Sequence, residues 1–450
     1  MARTASGNLT EGPILKVLTK LALPIMASAF LSTAYNLTDM AWIGKLGSQA
    51  VAGVGVGGMF VWLSQGLSSL ARMGGQVHAA QALGAGNRED AKKYALAAIQ
   101  LSVLFGLLFG LVSLVFVKPL IGFFRLTDSL SIQHARDYMK ITCGLILFSY
   151  VNNVLTGLYT AQGDSSTPLK ANFIGLVINM ILDPVLIFGV GPFPRLEVIG
   201  AAIATVTAQA IVCLALICAI FFGKKPNLLQ ELNPFQRADS AKVKAVLRLG
   251  GPTALQGSLY CMFSMVLTRM ISGFGDAAVA AQRVGSQLEC LCWNTADGFS
   301  AALNAFIAQN YGAGKLSRAR KGYSLSAVTI AIWGTLIGLL FILLPEQISM
   351  LFFHEAEVIP ISIQYLIVLG LSEPFMCVEL IAVGAISGLG DTRRCSTISI
   401  LLTGLRIPLA YALSHTALGL NGIWWAYTLS SVLKGIVLHV TFYRQCKKLS

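Results

Sequence analysis

Gly47-Ser-Gln-Ala50-Val51-Ala52 and Gly275-Asp-Ala-Ala278-Val279-Ala280 stand 228 residues apart in a chain of 450. At the same offset Leu23-Pro24 is echoed by Gly251-Pro252. Gln81-Ala-Leu-Gly84-Ala85-Gly86 is echoed likewise by Gln309-Asn-Tyr-Gly312-Ala313-Gly314. Gly163-Asp164 then returns as Gly390-Asp391, one residue short of that spacing. A register held through several motifs over about 140 residues marks an internal duplication, and duplicated halves are common in membrane transporters.

Only 12% of the residues are charged and 55% are hydrophobic, with a mean hydropathy of +0.70. Soluble domains carry about 25% charged residues, so this chain belongs in a bilayer. Apolar stretches of about 20 residues, long enough to span hydrocarbon, recur from end to end. Twelve are read, near residues 14–43, 49–74, 92–117, 134–160, 166–190, 198–222, 245–273, 278–305, 321–344, 359–388, 396–414 and 420–443. They are too long for transmembrane strands and lack two-residue alternation. The expected fold class is an all-α integral membrane protein. Its 12 transmembrane helices form two parallel six-helix repeats around a central cavity.

An even number of spans per half inserts both halves in the same orientation. They are read as an N-lobe (1–222) and a C-lobe (245–450). A polar, basic cytoplasmic hinge-linker (223–244), containing Pro226 and Pro234, joins them. Counted loop by loop, 22 Lys and Arg residues lie on the side of the termini. Six lie opposite: Lys45, Lys118, Arg125, Arg136, Lys140 and Arg195. This positive-inside bias puts both termini in the cytoplasm of a multi-pass cell-membrane protein. The net charge of +13 is then a topology signal and not a nucleic-acid footprint.

Several chemistries are not supported. The repeated Gln-x-x-Gly-Ala-Gly lacks the spacing of a nucleotide-binding loop. The nine cysteines are scattered through apolar segments, and Cys290-x-Cys292 lacks the separation and partners of a zinc site. No nucleophile–base pair or cofactor motif stands out, so an enzyme is not expected. No cleavable signal peptide is expected either, because the first apolar segment is long and lacks a small-residue cleavage site. The expected working form is a monomer in the lipid bilayer, with no cofactor.

The informative residues are polar ones that the halves do not share. Asp39 lies in the first span, with Tyr35 one turn before it on the same face. Asp183 lies in the fifth, with Asn179 one turn before it and Pro184 after it. Thr205 in the sixth is a further candidate for the same cluster. An acid within hydrocarbon is costly as a free anion and marks an ion or substrate pathway. Such a carboxylate takes up either a proton or a cationic cargo, and that competition is the minimum apparatus of antiport. At the second-half positions of these acids stand Leu267 and the stretch Arg406–Ala410, without an acid. The second half carries its own charges, Arg269, Arg283, Glu289, Asp297, Glu373 and Glu379, which are expected to pair with one another.

In these residues the chain resembles the multidrug and toxic compound extrusion (MATE) family, in its DinF-like branch. The likeness rests on the 12-helix duplication, Tyr35-Asn36-x-x-Asp39, the paired Gln-x-x-Gly-x-Gly loops, Gln162-Gly163-Asp164, and Asn179-x-x-x-Asp183-Pro184. It implies export of organic cations and amphipathic drugs in exchange for protons or sodium. It also implies an ion-coupling set in the N-lobe of Asp39, Asp183, Asn179, Tyr35 and Thr205. The NorM-like branch carries acids in its seventh and tenth helices; spacing puts Tyr260 and Met376 there, which favours protons and leaves sodium as the alternative. Cargo contacts chosen by chemistry are Asp39, Tyr35, Phe60, Phe148 and Met180, since aromatics and methionines adapt to flat cations. A flippase for lipid-linked oligosaccharides is the other alternative. It calls for a cationic cavity, whereas the N-lobe spans hold acids and only Arg72.

Overall fold

The structure is a computed structural model that describes residues 9–124, 128–223, 227–233, 236–353 and 357–449. Arg125, Pro226 and Pro234, used in the loop and linker readings, lie outside the described residues. The first half contains α1 (Ile14–Gly44), α2 (Ser48–Gly84), α3 (Arg88–Val115), α4 (Val117–Gly122), α5 (Ser129–Gly144), α6 (Leu147–Ala161), α7 (Ser166–Phe188) and α8 (Glu197–Phe222). The second contains α9 (Ser240–Ser272), α10 (Asp276–Gly312), α11 (Leu316–Leu343), α12 (Pro345–Phe352), α13 (Val358–Gly370), α14 (Glu373–Gly388), α15 (Thr392–Gly404), α16 (Arg406–Ser414) and α17 (Leu420–Leu449). No strand occurs among the described residues.

Eight helical segments are long and apolar enough to cross a membrane, and the bent pairs α5–α6 and α13–α14 bring the number to ten. The longer, less apolar α9 and α10, the repeats of α1 and α2, complete the twelve. On α3 the side chains of Leu104, Leu107, Leu108, Leu111 and Val115 are all more than half exposed. Their three- and four-residue spacing makes one apolar face, as a lipid-facing helix requires. On α11 Ile332, Leu336, Leu339 and Leu343 repeat it.

The spans read at 134–160 and 359–388 are each broken. α5 and α6 meet at 46°, and α13 and α14 at 48°. Close approach of the third helix sets the place of both breaks. A Cβ on Gly110 would lie 2.9 Å from the Gly144 carbonyl, and one on Gly338 only 2.4 Å from that of Gly370. With Gly106 and Gly334 one turn earlier, each half uses a Gly-x-x-x-Gly face to let two backbones touch. Pro374, in the first turn of α14, prevents the helix from running straight through.

The repeated loops are turns. Gly86 and Gly314 hold φ of +76° and +70°, a left-handed conformation suited to glycine just past a helix end. Asp164 and Asp391 accept bonds from backbone N–H groups of the helices that follow them, as N-caps do.

The chain divides into two compact units. One comprises Ala27–Ala254, and the other Leu9–Met26 together with the residues from Leu255 on. Both crossings fall two residues after a helix proline, Pro24 or Pro252. In the first unit, Gly250 and Gly74 admit close contact between the start of α9 and α2 at Val246 and Leu70. In the second, Gln309 accepts from the Leu9 amide at 3.0 Å, and Met26 lies against Gly298.

Within the segment read as a hinge, residues 228–231 and 236–242 make contacts inside the first unit. Lys92 on α3 pairs with Glu231 and holds that carboxyl below its ordinary range. Lys242 pairs with Asp90 at 2.9 Å, Gln100 donates to the Gln236 carbonyl, and Gln162 accepts from the Leu228 amide.

Candidate functional site

α1, α7 and α8 of the first unit bring the five coupling candidates together. Asn179 and Asp183 are one turn apart on α7, both fully buried, and Asn179 Nδ2 donates to Asp183 Oδ1 at 3.1 Å. Asp39 on α1 is 7% exposed and close enough to Asp183 for their charges to interact. The Tyr35 hydroxyl is within interaction range of Thr205 on α8 and of both acids.

The cluster is short of donors. Tyr35 Oη, Asp39 Oδ1, Asn179 Oδ1, Asp183 Oδ2 and Thr205 Oγ1 are all buried without a hydrogen-bond partner. One such oxygen costs about 1–3 kcal/mol, and more when it is charged. The Tyr35 and Thr205 hydroxyls can donate as well as accept, whereas Asp39 Oδ1, Asn179 Oδ1 and Asp183 Oδ2 only accept, and these three from two helices make a place that favours an added positive charge. On one side it is sealed: Ile43 and Ile187, one turn beyond the two acids, are fully buried, and Trp42 meets Phe188 edge-on at 6.0 Å.

On the other side lies a cavity of about 470 Å3, contained within the first unit. Tyr35, Asp39 and Thr205 form part of its wall, while Asp183 and Asn179 sit behind that wall. Tyr138, Trp62, Asn36, Gln65, Asn172 and Gln209 also line it, and no Lys or Arg among the described residues does. Sequence reasoning missed these lining residues. Tyr138 carried a usable signal, since its repeat position, 227 residues on, is Tyr365.

Three proposed cargo contacts are placed elsewhere. Phe60 packs in an apolar cluster and meets Phe124 edge-on at 5.7 Å. Met180 is 44% exposed; it follows Asn179 directly and so points to another face of α7. Phe148 is half-buried and falls outside the cavity lining, between its neighbours Ile146 and Ser149 that belong to it.

The second-half charges also pair differently from the expectation. Glu379 takes Lys434, at 2.6 Å and buried, as its partner, while Arg269 and Arg283 are exposed. Glu373 is fully buried with both carboxyl oxygens unpartnered. Tyr260 is 46% exposed and Met376 sits in the apolar core, so neither supplies a carboxylate where the NorM-like branch has one.

Comparisons with known proteins agree with this architecture. The chain is 28% identical over 417 residues to a probable multidrug resistance protein NorM of Thermotoga maritima, covering 91% of this chain and 88% of the relative. It is 27% identical over 443 residues to an FAD transporter of Shewanella oneidensis, covering 98% and 96%. A crystal structure of a MATE protein in complex with MaD3S superposes with a TM-score of 0.90 over 99% of both chains, at 22% identity. The MatE family model matches twice, at residues 24–185 and 252–412, once in each half. Together these matches cover most of the sequence, and the chain belongs to the MatE family of multi-pass membrane transporters.

Proposed function

We propose that this transporter exports organic cations and amphipathic drugs in exchange for protons, with proton and cargo competing at the Asp39 cluster. The observation that carries this reading is the group of unpartnered carboxyl and amide oxygens of Asp39, Asp183 and Asn179, at and behind the wall of a cavity whose described lining bears an acid and no Lys or Arg. A cargo cation in the cavity meets Asp39 first. Asp183, behind the wall and bound by Asn179, takes the charge or proton that Asp39 gives up. Tyr35, Tyr138 and Trp62 offer ring faces to a flat cation. The multidrug resistance proteins among the relatives support the cargo class, and the site resembles the DinF-like arrangement. The same oxygens would suit sodium, a hard cation, which is the second reading of the coupling ion.

A flippase cargo or a dinucleotide such as FAD carries phosphates, which an acidic cavity without Lys or Arg repels. The charge bias between loops supports cytoplasmic termini, and a cavity complete within one unit supports a monomer as the working form.

Binding of a cationic dye to purified protein tests the reading. Dye affinity should rise with pH as the cluster loses its proton, and Asp183→Asn should flatten that dependence and weaken binding at least tenfold. Unchanged affinity and pH profile in Asp183→Asn would remove the cluster from the mechanism.

A further inference from the structure

The two repeats can be matched residue by residue. The family matches begin 228 residues apart and end 227 apart, and the contacts follow that register. Tyr150 donates to the Ser64 carbonyl in one unit, and Cys377 faces Cys292 at 3.5 Å in the other. Gly200 is pressed on the Leu186 carbonyl as Gly422 is on that of Leu413. In this register Tyr35, Asp39, Asn179 and Asp183 correspond to Phe263, Leu267, Arg406 and Ala410; in the last helix, where Gly200 and Gly422 set the offset at 222, Thr205 corresponds to Tyr427.

Both carboxylates are thus replaced by hydrocarbon. Leu267 and Ala410 are buried in one apolar cluster. At the amide position stands a buried guanidinium. Arg406 Nε donates to Ser430 Oγ and its NH2 group to Ser431 Oγ at 3.0 Å, while the guanidinium lies 4.9 Å over the Tyr427 ring. Arginine stays protonated at any physiological pH, so this charge is permanent.

The ionisable groups around it are Tyr260 on α9, Glu289 on α10, Glu379 on α14, and Tyr427 and Lys434 on α17. Glu379 is taken by Lys434. Of the remaining acids, Glu289 is the one on which the charge of Arg406 acts, whereas Glu373 interacts with Glu289 and not with Arg406.

We infer that Arg406 is a built-in cation: it stands where the first unit takes a mobile cation or proton, balances Glu289, and closes the C-terminal repeat to the coupling ion. The inference rests on the cationic reading of the Asp39 cluster, but its test uses none of that cluster's residues. Asymmetry in the duplication then becomes specificity. One repeat exchanges its charge during the cycle, and the other carries a fixed one.

The test is thermal unfolding of the purified full-length protein at low and high sodium, for Arg406→Gln, Arg406→Lys and the double variant Arg406→Gln/Glu289→Gln. Arg406→Gln leaves Glu289 unbalanced, so Tm should fall by about 10 °C, and sodium should raise its Tm more than the wild type's. Arg406→Lys keeps the charge and should recover most of the loss. The double variant should also recover most of it and show no added response to sodium. If Arg406→Gln does not fold, the double variant still should. A double variant no more stable than Arg406→Gln, or Arg406→Gln with the wild type's sodium response, overturns the inference. Failure of the Asp39 reading would appear instead as unchanged transport in Asp39→Asn, with this cycle intact.

Discussion

Asn152 and Glu379 occupy the same place in the two repeats, and the contacts they make differ in kind. In the first unit Asn152 Nδ2 donates to both the backbone carbonyl and the side-chain oxygen of Gln209, at 2.8 and 3.0 Å. In the second, Glu379 meets Lys434 as a buried ion pair. Each contact joins the helix after the break, α6 or α14, to the last helix of its half, α8 or α17. One braces with neutral amides, the other with full charges. On the proposed exchange of charge at the Asp39 cluster, a neutral brace leaves the local field to the cluster and its occupant. Where charge is fixed, as at Arg406, an ion-paired brace disturbs nothing that has to titrate.

The sharpest way to break that comparison is to remove one partner of each brace. Lys434→Met leaves Glu379 buried and alone, which should cost about 3–5 kcal/mol. Pairing it with Glu379→Gln should return most of that stability. Asn152→Leu strands neutral acceptors on Gln209 and should cost about 1–3 kcal/mol. Chemical unfolding of the two single variants checks the ordering. Equal losses would mean that charge does not distinguish the braces.

The smallest effect is expected at the surface. The Lys92 partner holds the Glu231 carboxyl below its ordinary 4.5, so the tie is complete above that pH and is lost as acid protonates Glu231. Glu231→Gln should therefore leave efflux at the wild-type level near neutrality and remove the acid-dependent rise in protease cutting within 227–233. A large loss of efflux would give the linker contacts a part in the cycle that the comparison does not assign them.

The duplication, the helical class and the Asp39 cluster were legible because each leaves a mark along the chain: a constant offset, long apolar runs, and acids where hydrocarbon belongs. Asn179 and Asp183 follow from one-turn spacing on a single helix. Other features depend on three dimensions. Met180 differs from Asn179 by one position, yet helical rotation turns it away from the cluster. The breaks near Leu145 and Leu371 arise from backbone contact with Gly110 and Gly338, and only the second carries a local mark, Pro374. Arg406 and Lys434 were open to reading as cations inside apolar spans. Attention to missing acids passed over them, although Arg406 stands at the repeat position of Asn179.

Transport itself bears most directly on the claim that the first repeat carries the mobile charge. Efflux of a cationic dye from proteoliposomes would be followed under an imposed pH gradient without sodium, for wild type and Asp39→Asn. The account predicts proton-driven efflux in the wild type and, in the correctly folded variant, no more than empty vesicles show. Efflux by Asp39→Asn at the wild-type rate would contradict it.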